Sequence, residues 1–583
     1  MKPNSIELPV NPTIGLRCRA AGLLSMRRRG STALPAMGSW AVSMVREPRE
    51  LPVNPCFGAR PSGRFNVGLR SGAGSSLKAA LRTFFSAILA FSFGLTQTAS
   101  AAAENNKSDF ERSVVVLDVT RKQYDYFQPW TKRTKNTHKA GLILPDREIL
   151  TTSDEMFDRT LVRIQKGGRG RWWTGDVTWI DYHANLAVVT PTDPAFWEGL
   201  QPVTLVDKPA SYDALQIIRW REGKLENRKA EFNQFTVDTA RLSFVSVLEL
   251  EVSSEIQGVG WGEPIAVGAQ VIGITSQQAG NKCTAIPASF IRPVLEARKN
   301  GTYRGLGLFD FYWQAAENPA SLDFLKLPGQ PRGVVVIYVP AKPGATPVLK
   351  PHDLILQIDG FDIDTQGDYT DPDFGPLLLE NLSTRRHWAG DDVKMKVWRD
   401  GKEIDATYRL PKAEYATTLV PDATYDQEPE YLIVGGLVFQ PLNDSYLKGW
   451  GPEWKRRSPF RLYYYNEQEP TPERRSLVFL SQVLPDIYNL GYQNFQYLVL
   501  DEVNGKKIAR LQDLKAALEK PIDGFHQVQF VRSDSLRRLV LDASETDAAT
   551  SRVLQRYGIT KDFYFVSTEE PQNAGGGGNR AAE

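Results

Sequence analysis

Residues 260–274 read GWGEPIAVGAQVIGI, a turn punctuated by Gly and Pro followed by the apolar run Val271-Ile272-Gly273-Ile274. Three runs of similar size lie upstream: Val114-Val115-Val116-Leu117, Ala140-Gly141-Leu142-Ile143-Leu144 and Leu186-Ala187-Val188-Val189. Runs this short, set between turns, predict strands of an all-β barrel or sandwich over residues 110–300. A helix-like segment, Ala288 to Arg298, follows them. The whole chain has 583 residues, enough for several domains that each bury a core.

Charge is uneven along the chain. Residues 1–103 carry thirteen Lys/Arg and three Asp/Glu, so with a total of +2 the rest is net −8. A mildly acidic body argues against a nucleic-acid protein, which needs a basic face. The cysteines Cys18, Cys56 and Cys283 have no zinc spacing. Neither a metal nor a cofactor is expected, and Cys283 reads as a small core residue.

Residues 78–103 read as a secretory signal peptide. Lys78 and Arg82 precede the apolar run Phe84 to Leu95, and Ala99-Ser100-Ala101 is a small-x-small cleavage pattern. The run is too short for an ordinary membrane span, so no stable span is expected after cleavage. Residues 1–77 have no strand or helix period, and Glu7-Leu8-Pro9-Val10-Asn11-Pro12 recurs as Glu50-Leu51-Pro52-Val53-Asn54-Pro55. They read as a leader outside the fold, either non-native or disordered. Residues 571–583 read as a disordered tail.

Within 110–300 the order of landmarks resembles the trypsin-like domain of Deg/HtrA serine proteases. Ala140-Gly141-Leu142-Ile143 and Ile149-Leu150-Thr151-Thr152-Ser153-Asp154 stand where that family has its glycine-led strand and its general-base His. Asn185-Leu186-Ala187-Val188-Val189 stands at the Asp that orients the His. Gly260-Trp261-Gly262-Glu263-Pro264 stands at the Ser nucleophile, and Ala285-Ile286-Pro287 closes the domain. The three slots therefore hold Asp154, Asn185 and Trp261. The family mechanism needs an attacking hydroxyl, an imidazole and an orienting carboxylate, and the resemblance implies that none is retained. His138, His183, Ser153, Ser253 and Ser254 lie outside the slots that would restore them.

Residues 303–412 resemble a PDZ domain. Gly305-Leu306-Gly307-Leu308 matches its glycine-led loop, and Val348-Leu349-Lys350-Pro351-His352-Asp353-Leu354-Ile355 leads to Asp359-Gly360. The resemblance implies that Gly305, Leu306, Gly307 and Leu308 present backbone N–H groups to a peptide, whose strand then pairs with the next edge. A bulky residue at 307 is expected to block such a loop and leave the fold intact. Residues 430–570, opening Val434-Gly435-Gly436-Leu437-Val438-Phe439 and continuing through Val503-Asn504-Gly505-Lys506, resemble a second, divergent module of the plant Deg type.

The expected fold is mainly β, a trypsin-like double β-barrel with six strands in each barrel, followed by two PDZ-like α+β modules. The expected protein is a secreted or periplasmic pseudoprotease that binds peptides or unfolded proteins. A trimer-based homo-oligomer is implied by resemblance alone. An active endopeptidase with a misaligned triad and a purely structural subunit remain alternatives.

Overall fold

The computed structural model describes residues 110–341, 346–532 and 537–566. The leader, the signal peptide and the tail lie outside these residues. Ala103–Glu583 forms one compact unit.

Strand β1 (Val114–Tyr124) runs antiparallel to β2 (Lys132–Leu144), with Val114 opposite Leu142. Side chains alternate between the two faces of a strand. Val115, Leu117 and Val119 therefore enter one core, while Val114 joins another. With β3 (Glu148–Thr151), β4 (Arg159–Lys166), β5 (Trp172–Asp181) and β6 (Leu186–Pro191), these strands close a barrel in the order β1-β2-β3-β6-β5-β4. Glycine is required at Gly141, where a Cβ would lie 2.5 Å from the Ile149 side chain.

The second sheet holds β7 (Thr204–Leu205), β8 (Leu215–Arg221), β9 (Lys224–Thr239), β10 (Ser246–Ser254), β11 (Pro264–Val267), β12 (Gln270–Ala279) and β13 (Lys282–Pro287). Strand β11 pairs with both β8 and β12, so six strands close a second ring and β7 adds parallel to β12. Cys283 is buried in this ring beside Leu250 and Ile272, and burial pushes its thiol up to about 11. The helix Ala288–Lys299 packs Phe290, Ile291 and Val294 into the seam between the barrels, against Leu142, Leu150 and Ile274.

The next sheet has the order β14 (Tyr312–Ala315), β15 (Val334–Tyr338), β16 (Leu354–Ile358), β20 (Asp392–Arg399), β21 (Lys402–Arg409). Beside it lie β17 (Phe361–Asp362) and the hairpin of β18 (Asp368–Asp371) with β19 (Gly375–Leu378). Its helical content among the described residues is small, the six-residue Pro319–Phe324 and a 3-10 turn at Leu379–Ser383. Val237 and Leu248 of the second barrel share a core with Phe311, Leu379 and Leu382, so this module is seated on the barrel.

The last sheet has the order β28 (Arg538–Asp542), β27 (Phe525–Phe530), β25 (Leu498–Val503), β24 (Val478–Val483), β23 (Leu437–Pro441), β22 (Tyr431–Val434), β29 (Phe563–Tyr564), with β26 (Lys506–Lys507) beside β25. The helices Leu511–Leu518 and Thr546–Tyr557 flank it.

Candidate functional site

The loop after β3, the residue before β6 and the turn before β11 converge between the barrels, bringing Asp154, Asn185 and Trp261 together. The Asn185 Oδ1 accepts from the Ser153 hydroxyl at 3.1 Å and from the Asp154 backbone N–H at 3.0 Å. Asn185 itself has φ 52°, in the left-handed region that Asn tolerates better than most residues. Its buried Nδ2 has no acceptor among the described residues.

The Asp154 carboxylate is buried and pairs with Arg241, from the loop between β9 and β10. The Lys139 ammonium, from β2, donates to Thr152 Oγ1 and to the Asp154 carbonyl, each at 2.7 Å. Burial pushes Lys139 down to about 8, against the opposing pull of Asp154 and Glu263. Trp261 places its ring 5.5 Å from Lys139 Nζ and 6.0 Å from the Arg241 guanidinium, a cation–π arrangement.

The backbone around Trp261 is also engaged. Its carbonyl accepts from the Ala140 N–H at 3.0 Å. The N–H groups of Gly260 and Trp261 donate to Glu263 Oε2 at 2.9 and 2.8 Å, and the Thr275 hydroxyl donates to the same oxygen. The side chain of Glu263 thus occupies donors that could otherwise face a bound group. A cavity of about 490 Å³ opens beside it, lined in part by His138, Lys139, Arg219, Arg221, Trp261 and Glu263.

The two histidines of this domain have partners of their own. His138 is exposed and lies 3.6 Å from Asp118. His183 bonds Ser243 at 2.8 Å and stacks on Tyr415 with ring centroids 4.0 Å apart. Burial lowers its pKa. Ser253 bonds Asn233, and Ser254 bonds the Lys229 carbonyl.

A strap of residues 414–428, between the two modules, lies against the same side of the barrels. The Tyr415 and Tyr425 hydroxyls donate to the Leu242 carbonyl at 2.8 and 3.2 Å. Tyr425 packs on Phe157 and Tyr182, with centroids at 5.0 and 4.6 Å. Asp426 accepts from the Asp158 N–H at 2.8 Å, and Glu428 takes Lys122 at 2.9 Å. The Tyr425 phenol is raised above its ordinary range, first by burial and then by the Asp154 charge.

Sequence reading missed Lys139, Arg241, Glu263, Tyr415 and Tyr425. Glu263 alone had a local signal, since it stands where the resembled motif has its second glycine. The others act across long stretches of chain.

Gly305, Leu306, Gly307 and Leu308 lie against residues 410–413, which corrects the expectation that a bulky residue at 307 leaves the fold intact. The Leu306 carbonyl accepts from the Ala413 N–H at 3.0 Å, and the Leu308 N–H donates to Pro411 at 3.3 Å. The Gly305 carbonyl accepts from the Ala389 N–H at 3.0 Å, and Leu306 is 1% exposed. A Cβ at Gly307 would lie 2.8 Å from the buried Leu410 side chain. The segment is packed and makes a single bridge, Gly307 to Lys412, so a Trp at 307 cannot leave the fold intact. Beyond it, β14 is the end strand of its sheet.

In the second module, Gly435 and Gly436 have φ of 56° and 89°, which two-residue hairpin turns favour. They fold β22 back on β23, with Val434 opposite Leu437. Strand β24 holds the other edge of β23. Ile433, Val438 and Val553 share a core, so the helix Thr546–Tyr557 packs on β22 and β23, and β22 lies between β23 and β29. An added peptide strand would need the edge that β22 already fills.

The PDZ domain family matches residues 420–563. Protease Do-like 2, chloroplastic, of Arabidopsis thaliana is 24% identical over 475 residues, covering 79% of this chain and 76% of that protein. Protease Do-like 4, mitochondrial, of the same organism is 24% identical over 471 residues, covering 79% and 86%. Among solved structures, an HtrA-type protease, AlgW with decapeptide, is 17% identical with a TM-score of 0.41, covering 53% of this chain and 98% of that one. With a PDZ domain at 420–563 behind two closed barrels, the chain is similar to Do-like proteases along more than three quarters of its length.

Proposed function

We propose that this Deg/HtrA-like protein cleaves no peptide bond and works by holding extended or unfolded segments, as an oligomer in the secreted or periplasmic compartment that its leader predicts. The observation that carries the reading is the Glu263 carboxylate on the N–H groups of Gly260 and Trp261. Acyl transfer needs backbone donors aimed at a developing oxyanion. Here two donors at the nucleophile slot are already spent on an anion of the protein's own. Trp261 offers only an indole N–H donor and no nucleophilic atom. Asp154 is held by Arg241. In a serine protease, loss of the Ser or the His alone lowers kcat by roughly 10⁶.

Strand β14 supports peptide capture, because the end strand of a sheet can accept an extended chain through its backbone. One observation favours a second reading, a structural subunit of a Deg-type assembly: both edges of β23 are filled from within the chain.

A single experiment separates these readings. Purified protein is incubated with fluorescent unfolded casein, and both complex formation and fragments are followed. Binding without fragments is expected. Cleavage that a serine-directed covalent inhibitor blocks overturns the proposal. Neither binding nor cleavage favours the structural subunit.

A further inference from the structure

Between β23 and β24 the chain leaves the sheet for residues 442–477, which include the short helices Trp454–Arg457 and Phe460–Asn466. One side of this excursion is anchored. Leu462 is fully buried, and Trp450, Trp454 and Tyr465 pack on a core with Tyr446 and Phe479. The other side carries Phe460, 75% exposed, and Tyr464, 49% exposed, one helical turn apart with ring centroids at 6.2 Å.

Cations flank Phe460 along the chain, Lys455, Arg456 and Arg457 before it and Arg461 after it. Arg456 and Arg457 share a single carboxylate, Glu453, at 2.7 and 3.4 Å. Lys455 lies 5.7 Å over the Trp454 ring. Neither Lys455 nor Arg461 has a carboxylate partner among the described residues. Residues 453–461 therefore carry four cations against one anion, a positive island on a body that is net −8.

An exposed aromatic pair flanked by Lys and Arg matches the chemistry of a bilayer interface. Aromatic rings sit at the boundary of headgroups and acyl chains, while long cationic side chains extend to anionic headgroups. Two exposed rings make a poor protein interface, which typically buries about 800 Å² on each partner. They suit a bilayer, which rewards depth of insertion. A polyphosphate backbone gives an inserted Phe no apolar medium to enter. We propose that residues 453–466 dock the second module on an anionic lipid surface, with Phe460 and Tyr464 inserted and Lys455, Arg456, Arg457 and Arg461 against the headgroups.

The test is vesicle flotation with the chain from residue 104 onward. This retains all but the first residue of the compact unit and every described residue, without the apolar run Phe84–Leu95. Binding is expected to phosphatidylcholine vesicles containing phosphatidylglycerol, and not to phosphatidylcholine alone. The Arg456→Gln, Arg457→Gln pair should lose about fivefold in affinity per charge removed. Phe460→Ser should lose about tenfold. All of these side chains are exposed, so each variant should melt with the wild type. Absence of flotation, equal flotation on both vesicles, or unchanged binding by both variants overturns the proposal. So does a wild type that prefers an oligonucleotide to vesicles at the same salt. A Phe460→Ser variant whose main effect is a smaller oligomer by light scattering assigns the surface to a second copy instead, and also overturns it.

Discussion

The cleft between the barrels and the edge of β23 are both closed by the protein itself, but by different means. In the cleft the closing groups are side chains: Glu263 on two backbone N–H groups, Arg241 on Asp154, and Lys139 beneath Trp261. At β23 the closing group is backbone, a whole strand tied on by the two-residue turn Gly435-Gly436. Side-chain closure can be undone by single substitutions and responds to charge. Strand closure has a very high effective concentration, because the link is so short. A free peptide at micromolar concentration competes poorly with it. The difference leaves β23 with both edges filled from within the chain.

The largest expected effect comes from breaking the strand closure. At Gly436, with φ 89°, a Cβ would lie 2.4 Å from both the Leu484 carbonyl oxygen and Asn489 Nδ2. Gly436→Val combines this clash with backbone strain and should cost about 3 kcal/mol, read as a lower urea midpoint. A loss below about 1 kcal/mol would mean that the turn is dispensable and that β22 is held by its core contacts alone.

The cleft should respond less. Glu263→Ala strands the Trp261 N–H, leaves Gly260 only the Thr275 hydroxyl, and should cost about 2 kcal/mol. Glu263→Gln keeps an acceptor oxygen and should cost about half as much. Neither variant should gain proteolysis, since both leave Trp261 at the nucleophile slot. Wild-type stability in both variants would show that the charge and the hydrogen bonds of Glu263 contribute nothing to the closure.

The strands of both barrels were legible because Val, Ile and Leu runs bounded by turns admit few other readings. The three slots were legible from the order of landmarks, and the structure brings Asp154, Asn185 and Trp261 to one cleft. Partners remote in sequence were not legible. Arg241 reaches Asp154 across 87 positions, and Tyr415 reaches Leu242 across 173. The close packing at Gly307 was not legible for the same reason. A glycine-led apolar run has the same alternation whether its edge is open or paired, and its partners, Pro411 and Ala413, lie in the next linker. Tyr431–Val434 likewise reads as any buried strand, although Gly435-Gly436 carried the hairpin signal that turns it back on β23.

The smallest expected effect lies where the strap meets the cleft, and it depends on pH. Asp158 has a buried Oδ1 with no hydrogen-bond partner among the described residues, and its backbone N–H is bonded to Asp426. Burial, and then the Asp426 charge, push its carboxyl from 3.8 up to about 7. A carboxyl raised in the folded state favours folding most where it is protonated. Its contribution is complete below about pH 3.8 and is lost as pH rises through about 7. The strap is therefore held less firmly at pH 8 than at pH 5. Asp158→Asn keeps the shape without the charge, so it should raise the Tm at pH 8 by about 2 °C and change it little at pH 5. The effect is modest because the group is partly exposed and solvent screens it. Melting curves of both proteins at the two pH values check this. A Tm difference of the same size at pH 5 and pH 8 would show that Asp158 does not titrate in this window, leaving Asp426 and the tyrosines to hold the strap without pH control.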